Sequence, residues 1–459
     1  YKWNYTKYSN YFSHIFILLF SILLITSSNG AIAIQLPTPL KDNDFHEVNL
    51  KKAKIGQLLF YDKILSGNFN ISCGTCHHHR FGGSDGLPLG IGEGGEGVGL
   101  LRNGGSGISK IKKRIPRNAP ALWNLGAKEI SNIMHDGRIS ISDIFQNNFN
   151  TPAEEWLPLG LDNILAAQAL FPMTRQFEMS GNPGENEIVG NNIVDLSHRR
   201  LSIIWPILAK RVSKIPEYQN MFIEAFDDIN SPSDISITHL GNAISAFISL
   251  EWRSIDSPFD DFLNGNETAL SDSAKKGMNL FFGKANCSSC HSGKLFTDQK
   301  FYALALPHFG PGRTRRFDPF VRDIGRMGES DKIEDAYRFR TPSLRNVSLT
   351  APYGHNGAYE TLEDIIKHHL DPKKMHKQWN PSMVNLPSVE WISDIDFISF
   401  SDKYERNRLI SKIDIDKVDL SESEIKYLVQ FLNSLTGKSM NNRPFGIPSI
   451  VPSGIEVDK

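Results

Sequence analysis

Every cysteine of this 459-residue chain lies in one of two copies of a single five-residue pattern. The copies are Cys73-Gly74-Thr75-Cys76-His77 and Cys287-Ser288-Ser289-Cys290-His291. C-x-x-C-H is the attachment pattern of c-type haem. Each thiol forms a thioether to a vinyl group, and the adjoining histidine binds iron from the proximal side. Buried porphyrin then replaces part of the side-chain core. A zinc site would want four close ligands, yet the pairs stand at 73–76 and 287–290. A redox dithiol leaves the two histidines unexplained. The sequence therefore predicts two covalent c-type haems.

Charge is balanced, with 50 Lys+Arg against 51 Asp+Glu. That gives no electrostatic case for nucleic acid. The N-terminus reads as a targeting segment. Lys2 and Lys7 precede Ile15–Ile25, apolar except for Ser21, and Ala31-Ile32-Ala33 offers an A-x-A cleavage site. Eleven residues are too short to span a bilayer. The expectation is a signal peptide over 1–33 and export to the periplasm, where c-type haem is attached. Membrane association is expected only if that segment stays uncleaved.

The mature chain divides between the motifs: 34–255 with the first haem, 256–445 with the second, and a C-terminal tail over 446–459. The break falls at Ser254-Ile255-Asp256-Ser257-Pro258. Helical signals dominate. Ile237, Leu240, Ile244, Phe247 and Ile248 recur at helical spacing. Ser271 caps a helix running towards Phe282. Ser421 and Glu424 form a capping box ahead of Ile425, Leu428, Leu432 and Leu435, with Gly437 as a stop. The predicted fold class is mostly α: two cytochrome-c-like domains, each with one haem, joined by long irregular loops. Residues 82–107 are glycine-rich and lack G-x-x-x-x-G-K-[ST], so they read as a flexible surface loop rather than a phosphate site. Gln378–Lys417 reads as a poorly patterned insertion.

A haem with one strong ligand can bind a small molecule, and one with two only moves electrons. Arg80–Arg117 holds no His or Met; the next candidates are Met134, His135, Met173 and Met179. His78 and His79 adjoin the proximal ligand and read as surface or propionate-contacting residues. For the second haem, Thr361 and Asp364 cap a helix whose face carries Leu362, Ile365, Ile366 and His369, with His368 turned about 100° away.

Further motifs carry a resemblance. They are Arg117-Asn118-Ala119-Pro120-Ala121-Leu122-Trp123-Asn124, His135-Asp136-Gly137-Arg138, Gln168-Ala169, and Phe177-Glu178-Met179. In the second half come Phe339-Arg340-Thr341-Pro342-Ser343-Leu344-Arg345-Asn346-Val347 and Thr350-Ala351-Pro352-Tyr353-Gly354-His355-Asn356-Gly357. Together they resemble the bacterial di-haem cytochrome c peroxidases and their MauG-like branch.

The resemblance implies a peroxidase in which Glu178 moves the proton of iron-bound peroxide and Gln168 orients it. It implies iron ligands His77, His291 and, fourteen residues beyond His355, His369, with His368 as the alternate. Family members hold calcium between the halves at positions matching Asn118, Thr350 and Pro352. Implied partners are hydrogen peroxide and a donor protein such as a small cytochrome c or cupredoxin; a homodimer is left open. Two departures stand out. Many relatives carry a switchable histidine between the first haem motif and the Arg-Asn-Pro segment, and this chain has none. Many have Trp before Asp-Gly-Arg, where this chain has His135, and imidazole is a poorer hole carrier than indole. The competing readings are a MauG-like oxidation of a partner protein and a non-catalytic electron carrier.

Overall fold

Two glycines set the architecture. Helix Leu50–Tyr61 crosses helix Ile237–Glu251 at Gly56, where a Cβ would fall 1.9 Å from Ala243 O and 2.8 Å from Phe247 Cβ. Helix Asp272–Phe282 crosses helix Glu422–Asn433 at Gly277 in the same way, 1.9 Å from Tyr427 O and 2.8 Å from Phe431 Cβ. Only glycine permits backbones to approach this closely. Each crossing is followed or flanked by a haem motif, so one helix-pair unit occurs twice. Asn49 caps the first helix through Lys51 N and Lys52 N, Ser271 caps the third through Ala274 N, and Ser421 with Glu424 closes the expected box.

In this computed structural model the described residues are 35–190, 199–315 and 318–459, and 36–459 form one compact unit. The expected signal peptide lies outside the described residues. Among the described residues no helix is long and apolar enough to cross a membrane. The fold is mostly helical. Its strands are short: Asn132–Ile133, Ile139–Ile141 and Phe149–Asn150 pair antiparallel, as do Phe301–Tyr302 and Phe339–Arg340.

The core follows the two crossings. Around the first, Phe60, Phe247 and Trp252 pack with centroids 5.3–5.4 Å apart. Around the second, Phe259, Phe281, Phe296 and Phe431 form an aromatic cluster. The C-terminal segment returns to the first half. Val451 and Val457 are buried there, Ser453 donates to Asp62, and Asp458 accepts from Thr75 inside the first C-x-x-C turn.

Three sequence expectations change. The glycine-rich stretch is not a flexible surface loop. Leu87, Leu89 and Ile91 are fully buried, and Leu87 and Ile91 pack with Ile111 and, from the predicted insertion, with Val389 and Ile392. Arg102, itself buried, pins the stretch by donating to Ile91 O (2.5 Å), Gly92 O (2.7 Å) and Gly97 O (2.7 Å). The insertion is tied down by a buried pair, Arg114 to Asp396 at 2.9 Å, and by Trp391 Nε1 donating to Ile111 O. Gly437 does not terminate its helix, which ends at Asn433. Instead it allows close contact with Ser254, whose Oγ lies 2.1 Å from where a Cβ would stand.

Replacing Arg102 with Leu leaves three carbonyls without their donor. We expect a loss of about 3 kcal/mol in stability and new proteolytic cleavage between 93 and 107. Thermal denaturation and limited proteolysis measure both; an unchanged pattern contradicts the pinning role.

Candidate functional site

Two cavities lie behind the C-x-x-C-H turns. The first, of about 770 Å³, is lined by Cys73, Cys76, His77, Met134, His135, Gln168, Glu178 and Met179. The second, of about 620 Å³, is lined by Cys287, Cys290, His291, His369 and His355. Both sit within the range of ligand and cofactor pockets. Asn118, Pro120, Leu125 and His135 line both, so the cavities share one wall.

Each proximal imidazole is oriented by a backbone carbonyl. His77 Nδ1 donates to Gly83 O at 2.9 Å and His291 Nδ1 to Phe296 O at 3.1 Å. This leaves Nε2 as the ligating nitrogen. Burial lowers both histidines, His291 to about 4, so both are neutral imidazoles fit for a metal. Burial pushes the Cys73, Cys76 and Cys287 thiols up to about 12, the opposite of a reactive dithiol. The two pairs line separate cavities. Among the described residues no group of three His, Cys, Asp or Glu side chains is placed to hold a metal ion.

The cavities differ in what faces the proximal histidine. In the second, the His369 ring centroid stands 6.3 Å from that of His291, and His369 Nδ1 donates to Ile365 O at 2.8 Å. Two metal–nitrogen bonds of about 2 Å, plus roughly 1.1 Å from each nitrogen to its ring centre, give nearly this separation. One iron therefore fits between them. His368 is fully buried with both nitrogens engaged, by Tyr359 Oη (2.8 Å) and Leu304 O (2.7 Å). It has no nitrogen left for a metal.

The first cavity presents a carboxyl and an amide. Glu178 lies on the short helical turn Gln176–Ser180, and burial raises its pKa against the opposing charge of Arg175. The glycine-rich stretch supports this turn. Gly92 passes so close to it that a Cβ would fall 1.9 Å from Phe177 O, and Glu93 N donates to the same oxygen at 3.2 Å. The stretch carries Glu93 inward, held by Asn68 (2.6 Å) and Asn70 (2.8 Å). Gln168 Nε2 donates to Met134 Sδ at 3.8 Å. Met173, by contrast, is absent from this lining.

His135 Nε2 donates to Asn118 O at 3.0 Å, and burial with the nearby Arg117 lowers it to about 4. Asn118, Thr350 and Pro352 come together on the second cavity's wall; Asn118 Nδ2 donates to Leu87 O and Thr350 Oγ1 to Val347 O. His78 and His79 correct the sequence reading. His78 is fully buried and accepts from Arg80 N, while His79 bonds Tyr61 and Glu251. His78 is therefore not a surface residue, and His79 is half-buried, because the backbone after His77 turns both inward. Asp85 was missed. It is buried in the first cavity with Oδ2 unpartnered, and burial raises it to about 7. Its one sequence signal was an acid within a glycine-rich run.

The paired cysteines, neutral imidazoles and twin cavities define a protein built around two haems. Residues 50–268 match the family model described as di-haem cytochrome c peroxidase. The chain is 28% identical over 411 residues to the methylamine utilization protein MauG of Methylophilus methylotrophus, covering 88% of this chain and 87% of that protein. It is 27% identical over 340 residues to the cytochrome c551 peroxidase of Pseudomonas aeruginosa, covering 73% and 77%. Its fold is similar to that of a MauG-like protein associated with microbial copper homeostasis (TM-score 0.54, 23% identity, 90% of this chain and 96% of that one). It is also similar to the diheme peroxidase BthA of Burkholderia thailandensis (TM-score 0.53, 18% identity, 90% and 91%). Residues 50–268 thus carry the di-haem cytochrome c peroxidase pattern, and most of the chain is similar to proteins named MauG and cytochrome c peroxidase.

Replacing His369 with Ala is expected to convert the second haem from low-spin to high-spin with both haems still attached. His368→Gln is expected to leave it low-spin. Absorption spectra of the ferric variants distinguish these, and the reverse pattern assigns His368 as the ligand.

Proposed function

We propose that this enzyme reduces hydrogen peroxide to water in the periplasm, drawing electrons from an external donor such as a small cytochrome c. The observation that carries this is the presence, in one cavity with Cys73, Cys76 and His77, of a half-buried carboxyl and an amide. When bound, the first haem supplies the iron on which peroxide is cleaved. Heterolysis of peroxide needs a proton moved from the near oxygen to the leaving oxygen. Glu178 takes that proton and returns it; Gln168 Nε2, freed from Met134 Sδ, donates to the peroxide and orients it. The raised affinity of Glu178 for a proton suits a group that must both accept and release one near neutral pH. His77 would hold the haem of the first cavity, and His291 with His369 would hold that of the second, which would supply electron transfer.

The fixed glycine-rich stretch supports an iron that needs no activating rearrangement. It holds Glu93, carries no histidine, and is tied to the Phe177–Glu178 turn and to Arg102. The same feature favours a second reading, in which the open haem oxidises residues of a partner protein, as a MauG-like enzyme. We further assign Asn118, Thr350 and Pro352 to a calcium ion between the halves, through oxygen donors suited to Ca²⁺.

Glu178→Gln is expected to lower peroxide turnover with a reduced cytochrome c by about 10²–10⁴-fold while both haems stay attached. Because burial raises Glu178, the acid limb of the wild-type rate lies above the ordinary Glu value of about 4.3, and the variant loses that limb. Unchanged turnover removes Glu178 from the mechanism. Turnover absent with small donors but present with a partner protein favours the MauG-like reading.

A further inference from the structure

Behind the first C-x-x-C-H turn, outside the cavity lining, runs a hydrogen-bonded chain that peroxide reduction at Glu178 does not use. Tyr61 ends helix Leu50–Tyr61, and its buried ring packs closely against Gly74, between the two haem cysteines. A Cβ there would fall 2.3 Å from Tyr61 Cε1. Tyr61 Oη is hydrogen-bonded to His79 Nδ1. His79 Nε2 lies 2.8 Å from Glu251 Oε1. Glu251 is fully buried, and its oxygens also accept from Phe445 N (2.9 Å) and Gly446 N (2.8 Å). An acceptor-only carboxylate at Nε2 requires the proton to sit there, which leaves Nδ1 to accept from the phenol.

Other oxidisable side chains are less well placed. The Trp252 ring lies tilted beside His79, centroids 4.9 Å apart, but its buried Nε1 has no partner to take a proton. Trp123 lines the second cavity with the Arg443 guanidinium 4.0 Å above its ring, which opposes any positive charge on the indole. His135, on the shared wall, is an imidazole. Burial and Glu251 disfavour loss of the Tyr61 proton on its own. Loss of an electron and a proton together keeps the phenol neutral, and His79 already stands at its hydroxyl.

We propose that Tyr61 is an internal electron donor, supplying one of the two electrons that peroxide takes at the first cavity. This rests on the first cavity being the peroxide site. The phenol O–H bond breaks: the electron goes to the peroxide-oxidised centre and the proton moves along the existing bond to His79 Nδ1. Glu251 balances the charge, and a neutral phenoxyl radical remains. One electron from the external donor, with the same proton returned, restores the phenol. The second electron reaches the centre from the second cavity. Tyr61 thus supplies one of the two electrons by a route that does not cross the shared wall at His135.

The test is freeze-quench electron paramagnetic resonance of the holoprotein after one equivalent of H₂O₂, with peroxide consumption measured in the same sample. The expected result is an organic radical whose splitting narrows when the protein is grown on ring-deuterated tyrosine. Tyr61→Phe, which keeps the ring on Gly74, should reduce it at least tenfold, and Tyr218→Phe should leave it intact. Peroxide consumed with the radical undiminished in Tyr61→Phe, or with no deuterium-sensitive radical in the wild type, overturns this proposal alone. Peroxide left unconsumed overturns it together with the peroxide site. The labelling arm uses unaltered protein and stands whatever the variants do.

Discussion

The arrangement of both sites depends on how two imidazoles are aimed. His77 and His291 each give Nδ1–H to a carbonyl a few residues downstream, Gly83 and Phe296, and so offer Nε2 to the cavity. The haem turns are otherwise alike, and each adjoins a glycine-mediated helix crossing. What separates the two halves is the opposite wall. In the second, a capped helix delivers His369 to a distance that one metal ion bridges. In the first, a short turn delivers Glu178 and a neighbouring helix delivers Gln168. One duplicated frame thereby presents a second histidine on one side and a carboxyl with an amide on the other.

The shared wall is held by buried charge. Arg117 donates to Asp323 (2.7 Å) and Asp136 (2.6 Å), and Arg313 also reaches Asp136. Burial alone would raise both carboxyls, but Arg117, joined at Asp136 by Arg313, outweighs it and holds each at about 2. Carboxylates depressed on folding stabilise above their unfolded value near 3.9, and that stability is lost as pH falls towards 2. Such a network favours one geometry more than it adds net stability, because removing either sign strands the other in the core. His135 sits beside it, hydrogen-bonded to Asn118 O, so the residue between the cavities is fixed in orientation.

Local signals read well from the sequence, and long-range ones did not. Ser271, Ser421 with Glu424, and Thr361 announced their helices because a cap and an apolar stripe lie within a few residues of each other. His369 was separable from His368 by helical phase, since both lie on one regular element. The glycine-rich stretch misled because its order comes from Arg102 and from Val389 and Ile392, far along the chain. His79 misled for the same reason: its partner Glu251 is 172 positions away. Asp85 was hidden because its burial depends on how the stretch folds back over Cys76. Gly56 and Gly277, which set both crossings, look like ordinary helix glycines until their neighbours are in place.

The central claim is an asymmetry of coordination, one iron open and one closed. Electron paramagnetic resonance of the fully oxidised resting protein measures it directly. The account predicts one high-spin and one low-spin ferric haem in equal amounts. Two low-spin haems with no high-spin signal would contradict it.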